Sequence, residues 1–90
     1  MEYYADSHLQ TVKDVETFFR HLVFERKVNF HPDDVFESYV NTETKEPSFS
    51  SPQCDVYNRL MDESFEVCDK EGVDIYEIGL NELQKVLWKI

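Results

Sequence analysis

The stretch from Phe49 to Ile78 constrains this chain most, because a full set of helix signals occurs in it in order. Ser50 can accept a hydrogen bond from the Gln53 amide while the Gln53 side chain reaches back, and Pro52 falls in the first turn, where its missing N–H costs nothing. Cys54, Tyr57, Leu60, Met61, Phe65 and Cys68 then recur at three- and four-residue intervals, which places them on one helical face. Gly72 supplies a residue that can turn left-handed and stop the helix. A helix over 51–71 is about 32 Å long at ~1.5 Å per residue, roughly the width of a domain this size. The remaining segments are therefore expected to pack on it.

Residues 1–6 read as a frayed end, although Tyr3 and Tyr4 can fold back onto the body. Capping boxes at Ser7–Gln10 and Thr11–Asp14 both offer a start for a first helix, set at about 8–26. Val12, Val15, Phe19, Leu22 and Val23 face one way with Phe18 at their edge, and Lys13, Asp14, Thr17 and Arg20 face the other. Arg26 and Lys27 suit its C-terminus. His31 precedes Pro32 and so avoids helical angles. A second helix is expected over 32–41, with Asp33 and Asp34 in its first turn and a Phe30–Val35 staple across its start. Its apolar face would be Val35, Phe36, Tyr39 and Val40.

Residues 42–49 are the connecting loop, because Glu46-Pro47 excludes helix and nothing nearby asks for burial. A last helix over 75–89 starts at Asp74, with Glu77 three residues on and Val73 and Ile78 stapled across it. Its inward set would be Tyr76, Leu80, Leu83, Val86, Leu87 and Ile90, with Gly79 as a flaw costing about 1 kcal/mol relative to alanine. A rival reading makes 73–78 a short strand that turns at Gly79. With only two glycines and three prolines the chain lacks the turns of an all-β protein. The fold class is all-α: a small four-helix bundle-like single domain over 1–90.

Several chemistries fail on spacing. Aligning Gly72 with the invariant glycine of a calcium loop puts Val67 at the first ligand position and Ile78 at the twelfth, where a glutamate is required. His8, His21 and His31 fall on separate elements, and neither Cys-x-x-Cys nor His-Glu-x-x-His occurs. His31 with Asp33 and Asp34 reads as structural rather than as a metal site. Cys54 and Cys68 on one helix stand about 21 Å apart, beyond the ~7 Å a disulfide spans, and read as small buried hydrophobes. There is no phosphate-cradling glycine loop and no nucleophile elbow. No catalytic, cofactor-binding or metal residue is assigned. Without an apolar run long enough for a bilayer, or a recognisable leader, the expected location is cytoplasmic, with no membrane partner.

Charge carries what functional signal remains. The formal net charge is −10, and residues 33–82 hold fourteen acids against Lys45, Arg59 and Lys70. Asp55, Asp62, Glu66 and Asp69 line up on the outer face of the central helix, interrupted by Arg59, which can pair with Asp55 or Glu63. Such a row can simply keep a small protein solvated, or it can steer a basic partner. Phosphates would be repelled, so direct nucleic-acid binding is not expected. The helix–Gly72–helix order hints at a helix-turn-helix, yet its reading helix would carry only Lys85 and Lys89. Trp88, between those two regions of the C-terminus, and the surplus rings of Phe18, Phe24 and Tyr76 are either ordinary surface or a patch that buries itself in a partner.

The expected function is therefore non-catalytic: an acidic helical protein that works by protein–protein interaction, through self-association as a homodimer or through a basic partner. Asp55, Asp62, Glu66, Asp69 and Trp88 are the candidate partner-binding residues. One alternative is a nucleic-acid mimic that blocks a DNA-binding protein, although −10 over this length is sparse beside DNA's one charge per ~1.7 Å. The other is a small enzyme or metal-binding protein.

Overall fold

In the first helix, α1 (Val12–Arg20), the Thr11 hydroxyl accepts from the Asp14 amide and the Asp14 carboxylate accepts from the Thr11 amide, both at 3.1 Å. The Gln10 amide and that of Thr11, both donating to it, hold the Asp14 carboxyl below its usual value. Ser7, the other possible start, instead closes a turn with Tyr4, accepting from its amide at 2.8 Å. The helix thus begins at residue 12 and not 8. It does not run on regularly to 26 either: His21–Glu25 widen into a π-helical turn, closed where the Arg26 N–H donates to the His21 carbonyl at 3.0 Å. Lys27 then turns left-handed (φ 55°) in the position glycine commonly takes.

The computed structural model describes residues 3–28, 30–40 and 44–87, with side chains to residue 85. Three α-helices are found among them. α2 (Ser51–Glu71) has the bounds its signals predict, with the Ser50–Gln53 capping box formed and Gly72 left-handed (φ 69°). The Val73 N–H caps the Cys68 carbonyl beyond that glycine at 2.9 Å. Cys54 and Cys68 are both buried and unbridged, and burial raises both thiol pKa values. α3 (Ile75–Leu87) starts as the Asp74 carboxylate accepts from the Tyr76 amide at 2.9 Å, so residues 75–78 are helix and not strand. No helix is long and apolar enough to cross a membrane among the described residues.

The expected second helix over 32–41 does not form. Asp33 and Asp34 close a tight turn on His31, Val35 is extended, and a single 3-10 turn follows at Phe36–Ser38. The cause lies on α2: the Asn58 side-chain oxygen takes the Phe36 amide at 2.9 Å, the donor that helix continuation would aim at the carbonyl of Pro32. Only Phe36 of the expected apolar face is buried, while Val35 and Val40 point outward. Val40 pairs with Pro47 in an isolated antiparallel bridge that closes the loop. Three α-helices and one short turn replace the four-helix bundle.

The packing centre is α1 rather than α2. Val15, Phe18, Phe19 and Leu22 are fully buried, since α1 and its π turn are covered by α2 on one side and α3 on the other. The N-terminal segment adds a third cover. Tyr3 of the segment read as frayed lays its ring against Phe18, His21 and Tyr57. Arg59 donates to the Ala5 carbonyl at 3.1 Å and pairs with Glu63, whose carboxylate also accepts the Leu9 amide at 2.8 Å.

α3 packs by a face that its apolar pattern does not announce. Ile75, Gly79 and Glu82 are buried, whereas Tyr76 and Leu80 of the expected inward set are 45% and 55% exposed. Gly79 lies on the buried face against the Phe19–Phe30 ring pair, whose nearest atoms lie 3.6–3.8 Å from where a Cβ would stand, ordinary contact distance. Glu82, 2% exposed, is compensated by Lys85 at 2.9 Å and more distantly by Arg20 at 3.4 Å. Leu83 is partly buried, and the side chains of Val86 and Leu87, with all of Ile90, lie outside the described residues.

Two stability predictions follow from this packing. A methyl group at residue 79 would make ordinary contacts and remove the glycine penalty, so Gly79→Ala should stabilise by up to about 1 kcal/mol. Urea unfolding should then show a raised midpoint, and a lowered one would mean that the helix and ring pair are already in closest contact. At Glu63, burial works to raise the carboxyl pKa, but the Leu9 amide, His8 and Arg59 outweigh it and the net shift is downward. The clamp on residues 4–9 therefore contributes fully well above pH 4.5, the ordinary value. It weakens as pH falls from there through the lower native value. The protection factor of the Leu9 amide, its exchange relative to the unprotected rate at the same pH, should fall on acidification through that range, and in Glu63→Gln it should already be reduced at pH 7.

Candidate functional site

The acidic row of α2 is as exposed as its spacing predicts: Asp55, Asp62, Glu66 and Asp69 all face solvent. Arg59 within it is committed to Glu63 and the N-terminal segment, so it neutralises little of the row. The structure does not gather the four acids into one site. Asp55 borders a groove beside Tyr3 and Tyr57, whereas Asp62 borders a separate groove between α2 and the 32–35 turn. Trp88 lies outside the described residues.

The second groove, about 340 Å³, has Val35, Met61 and Phe65 as its apolar wall, and Asp33, Asp34 and Asp62 on its rims. No lysine or arginine lines it among the described residues. Tyr76 closes one end: its hydroxyl donates to Asp33 at 2.7 Å, and its ring meets the Phe65 ring edge-on at 6.2 Å between centroids. That hydrogen bond, reinforced by the charges of Asp33 and Asp74, pushes the Tyr76 phenol above its ordinary pKa. From Tyr76 the apolar surface continues one helical turn to Leu80. The result is an exposed apolar strip with a carboxylate-rimmed groove at one end.

Sequence reasoning found the acidity of this region and named Tyr76 among the rings that could form a patch as well as in the inward set of α3, but it missed the strip, because it assigned Leu80 to the core and Val35 to a helix. The signal was present at Gly79. A glycine inside a helical pattern asks for a packing reason, and putting residue 79 inward turns residues 76 and 80 toward solvent.

A second cluster is chemical rather than electrostatic. The His21 Nδ1 meets the Glu25 carboxylate at 2.9 Å and its Nε2 meets the Tyr57 hydroxyl at 2.7 Å. A carboxylate only accepts, so Nδ1 carries a hydrogen, and the phenol donates to Nε2 when the ring is neutral. The His21 bond holds the Glu25 carboxyl below its usual value. Carboxylate, imidazole and hydroxyl in series are the connectivity of a general-base relay. The terminal hydroxyl, however, belongs to a tyrosine only 3% exposed and ringed by Phe18, Phe36 and Phe49. Tyr3 covers the same cluster, and burial together with Tyr57, Asp14 and Glu25 pushes its phenol up to about 12. The series ties the π turn of α1 to α2, with its Glu25 end half exposed and all three residues on the wall of the groove beside Tyr3.

No group of three or more histidine, cysteine, aspartate or glutamate side chains is placed to hold a metal ion among the described residues. Comparison with family models, curated proteins and solved structures found no match.

Tyr57→Phe keeps the ring and strips the hydroxyl from His21. Leaving a buried polar atom short of a partner costs about 1–3 kcal/mol, so unfolding should shift by that amount. A variant as stable as the parent would show that His21 reaches water.

Proposed function

We propose that this chain is a non-catalytic interaction protein that docks a basic protein partner on the face formed by the 32–35 turn, the outer side of α2 and the exposed side of α3. The observation that carries the reading is the pairing of exposed Tyr76 and Leu80 with a groove whose charged rim is entirely acidic. Large apolar side chains on a small surface need a cover, and the surrounding carboxylates select what covers it. A second copy is disfavoured as occupant, because two chains of charge −10 repel. The acidic row of Asp62, Glu66 and Asp69 extends the same field along α2 and favours rapid, salt-sensitive encounter. A cytoplasmic location fits this reading. Of the alternatives, the nucleic-acid mimic lacks a dense carboxylate lattice, and the enzyme is left with one relay-like cluster, which lines the groove beside Tyr3 but ends on a phenol only 3% exposed.

The reading is tested with the full chain as bait in an extract of its native host, in parallel with Leu80→Asp. The substitution adds a charge at an exposed position and should leave the circular dichroism and melting curve unchanged. A basic protein should be retained at 50 mM salt, reduced several-fold at 300 mM, and lost from the variant. Retention that ignores both salt and the substitution would sink the proposal.

A further inference from the structure

We infer that the element docked on this face is an amphipathic helix with a lysine- or arginine-rich flank, seated along α3 with its apolar side on Tyr76, Leu80 and Leu83. The inference deepens the proposed function and rests on it. Its first support is the spacing. Residues 76, 80 and 83 follow a four–three interval, the seam by which one helix takes another. Two of them are exposed by about half and the third is partly buried along the inner edge. The seam is left open because α3 spends its other face, with Ile75, Gly79 and Glu82, on α1.

A second support is fixity. Tyr76 is held at its hydroxyl by Asp33 and at its ring by Phe65 and His31, so this anchor is positioned before anything binds. The charges then choose the partner. Glu77 is exposed beside the seam, Asp33, Asp34 and Asp62 rim the groove at its N-terminal end, and Lys85, the cation at its far end among the described residues, is already paired with Glu82. An acidic or neutral helix would bury its flank against carboxylates, whereas a basic one completes them. The strip is shorter than a standard interface of about 800 Å² per partner, so the affinity expected is micromolar and the exchange fast.

The test uses three fluorescein-labelled synthetic peptides of about 18 residues, titrated with the full chain. One has leucines at heptad seam positions and lysine flanks, one has the same composition in scrambled order, and one has glutamate flanks. The lysine-flanked heptad should bind at micromolar concentration. The scrambled and glutamate peptides should be at least 10-fold weaker, 300 mM salt should weaken binding several-fold, and Leu80→Asp should abolish it. Amide shifts on binding should map to residues 33–35, 62–65 and 76–83. Equal binding of the scrambled peptide, or binding that survives Leu80→Asp, overturns the helix inference. If the peptides fail but Leu80→Asp still loses the native partner, the face is used and its occupant is something other than a basic helix. If both fail, the proposed function falls as well. Sedimentation at twice 10.8 kDa, reversed by Leu80→Asp, would make a second copy the occupant and overturn the inference too.

Discussion

A phenol hydroxyl cannot be sealed from water without a partner, and the bond that Tyr57 makes to His21 is the constraint on which the rest of this molecule depends. Tyr57 stands on α2 with Tyr3, Phe18, Phe36 and Phe49 edge-on around it, so one residue touches the N-terminal segment, α1, the 3-10 turn and the loop before α2. Edge-to-face contacts of this kind are directional as well as apolar. Their common hub fixes where each element enters. The π turn of α1 serves the same arrangement. It presents His21, Leu22 and Val23 to the core together while Glu25 returns to the far side of the imidazole.

Legibility in the sequence tracks how local the deciding contact is. The bounds of α2 follow from Ser50, Gln53, Pro52 and Gly72, which act within a turn of themselves, and the structure has the same bounds. Thr11 and Asp14 define the start of α1 in the same way. The larger failures come from distant residues. Pro32, Asp33 and Asp34 open a helix convincingly, but Asn58, more than twenty positions away, takes the Phe36 amide and stops it. The outer face of α3 was misassigned because Leu80 and Tyr76 outweigh Gly79 in any count of apolar residues. In the packed chain the face with Gly79 is the one that meets Phe19 and Phe30. Acidity, a sum over residues, was readable at once. The groove it borders depends on the missing helix, and no periodicity could have shown it.

α3 thus carries two faces with different tasks. One is small and closely fitted, with a glycine at the ring contact and a single buried carboxylate compensated at its edge. The other is bulky and open. Two large apolar side chains left outside the core stand at a cost to solubility, which a charge of −10 offsets. On the function proposed above, the same carboxylates would also set which surfaces can approach.

The two thiols offer a consequence of a different kind. Cys54 and Cys68 lie near opposite ends of α2, on its buried side, each protected from ionising by the apolar surroundings. A thiolate attacks and a thiol does not, so alkylating reagents can reach them only when the helix lifts away from the body. The rate of modification at each position is therefore a clock for opening at that end of the molecule. If the two clocks agree, the domain comes apart as one unit; if they differ, their ratio says which end lets go first.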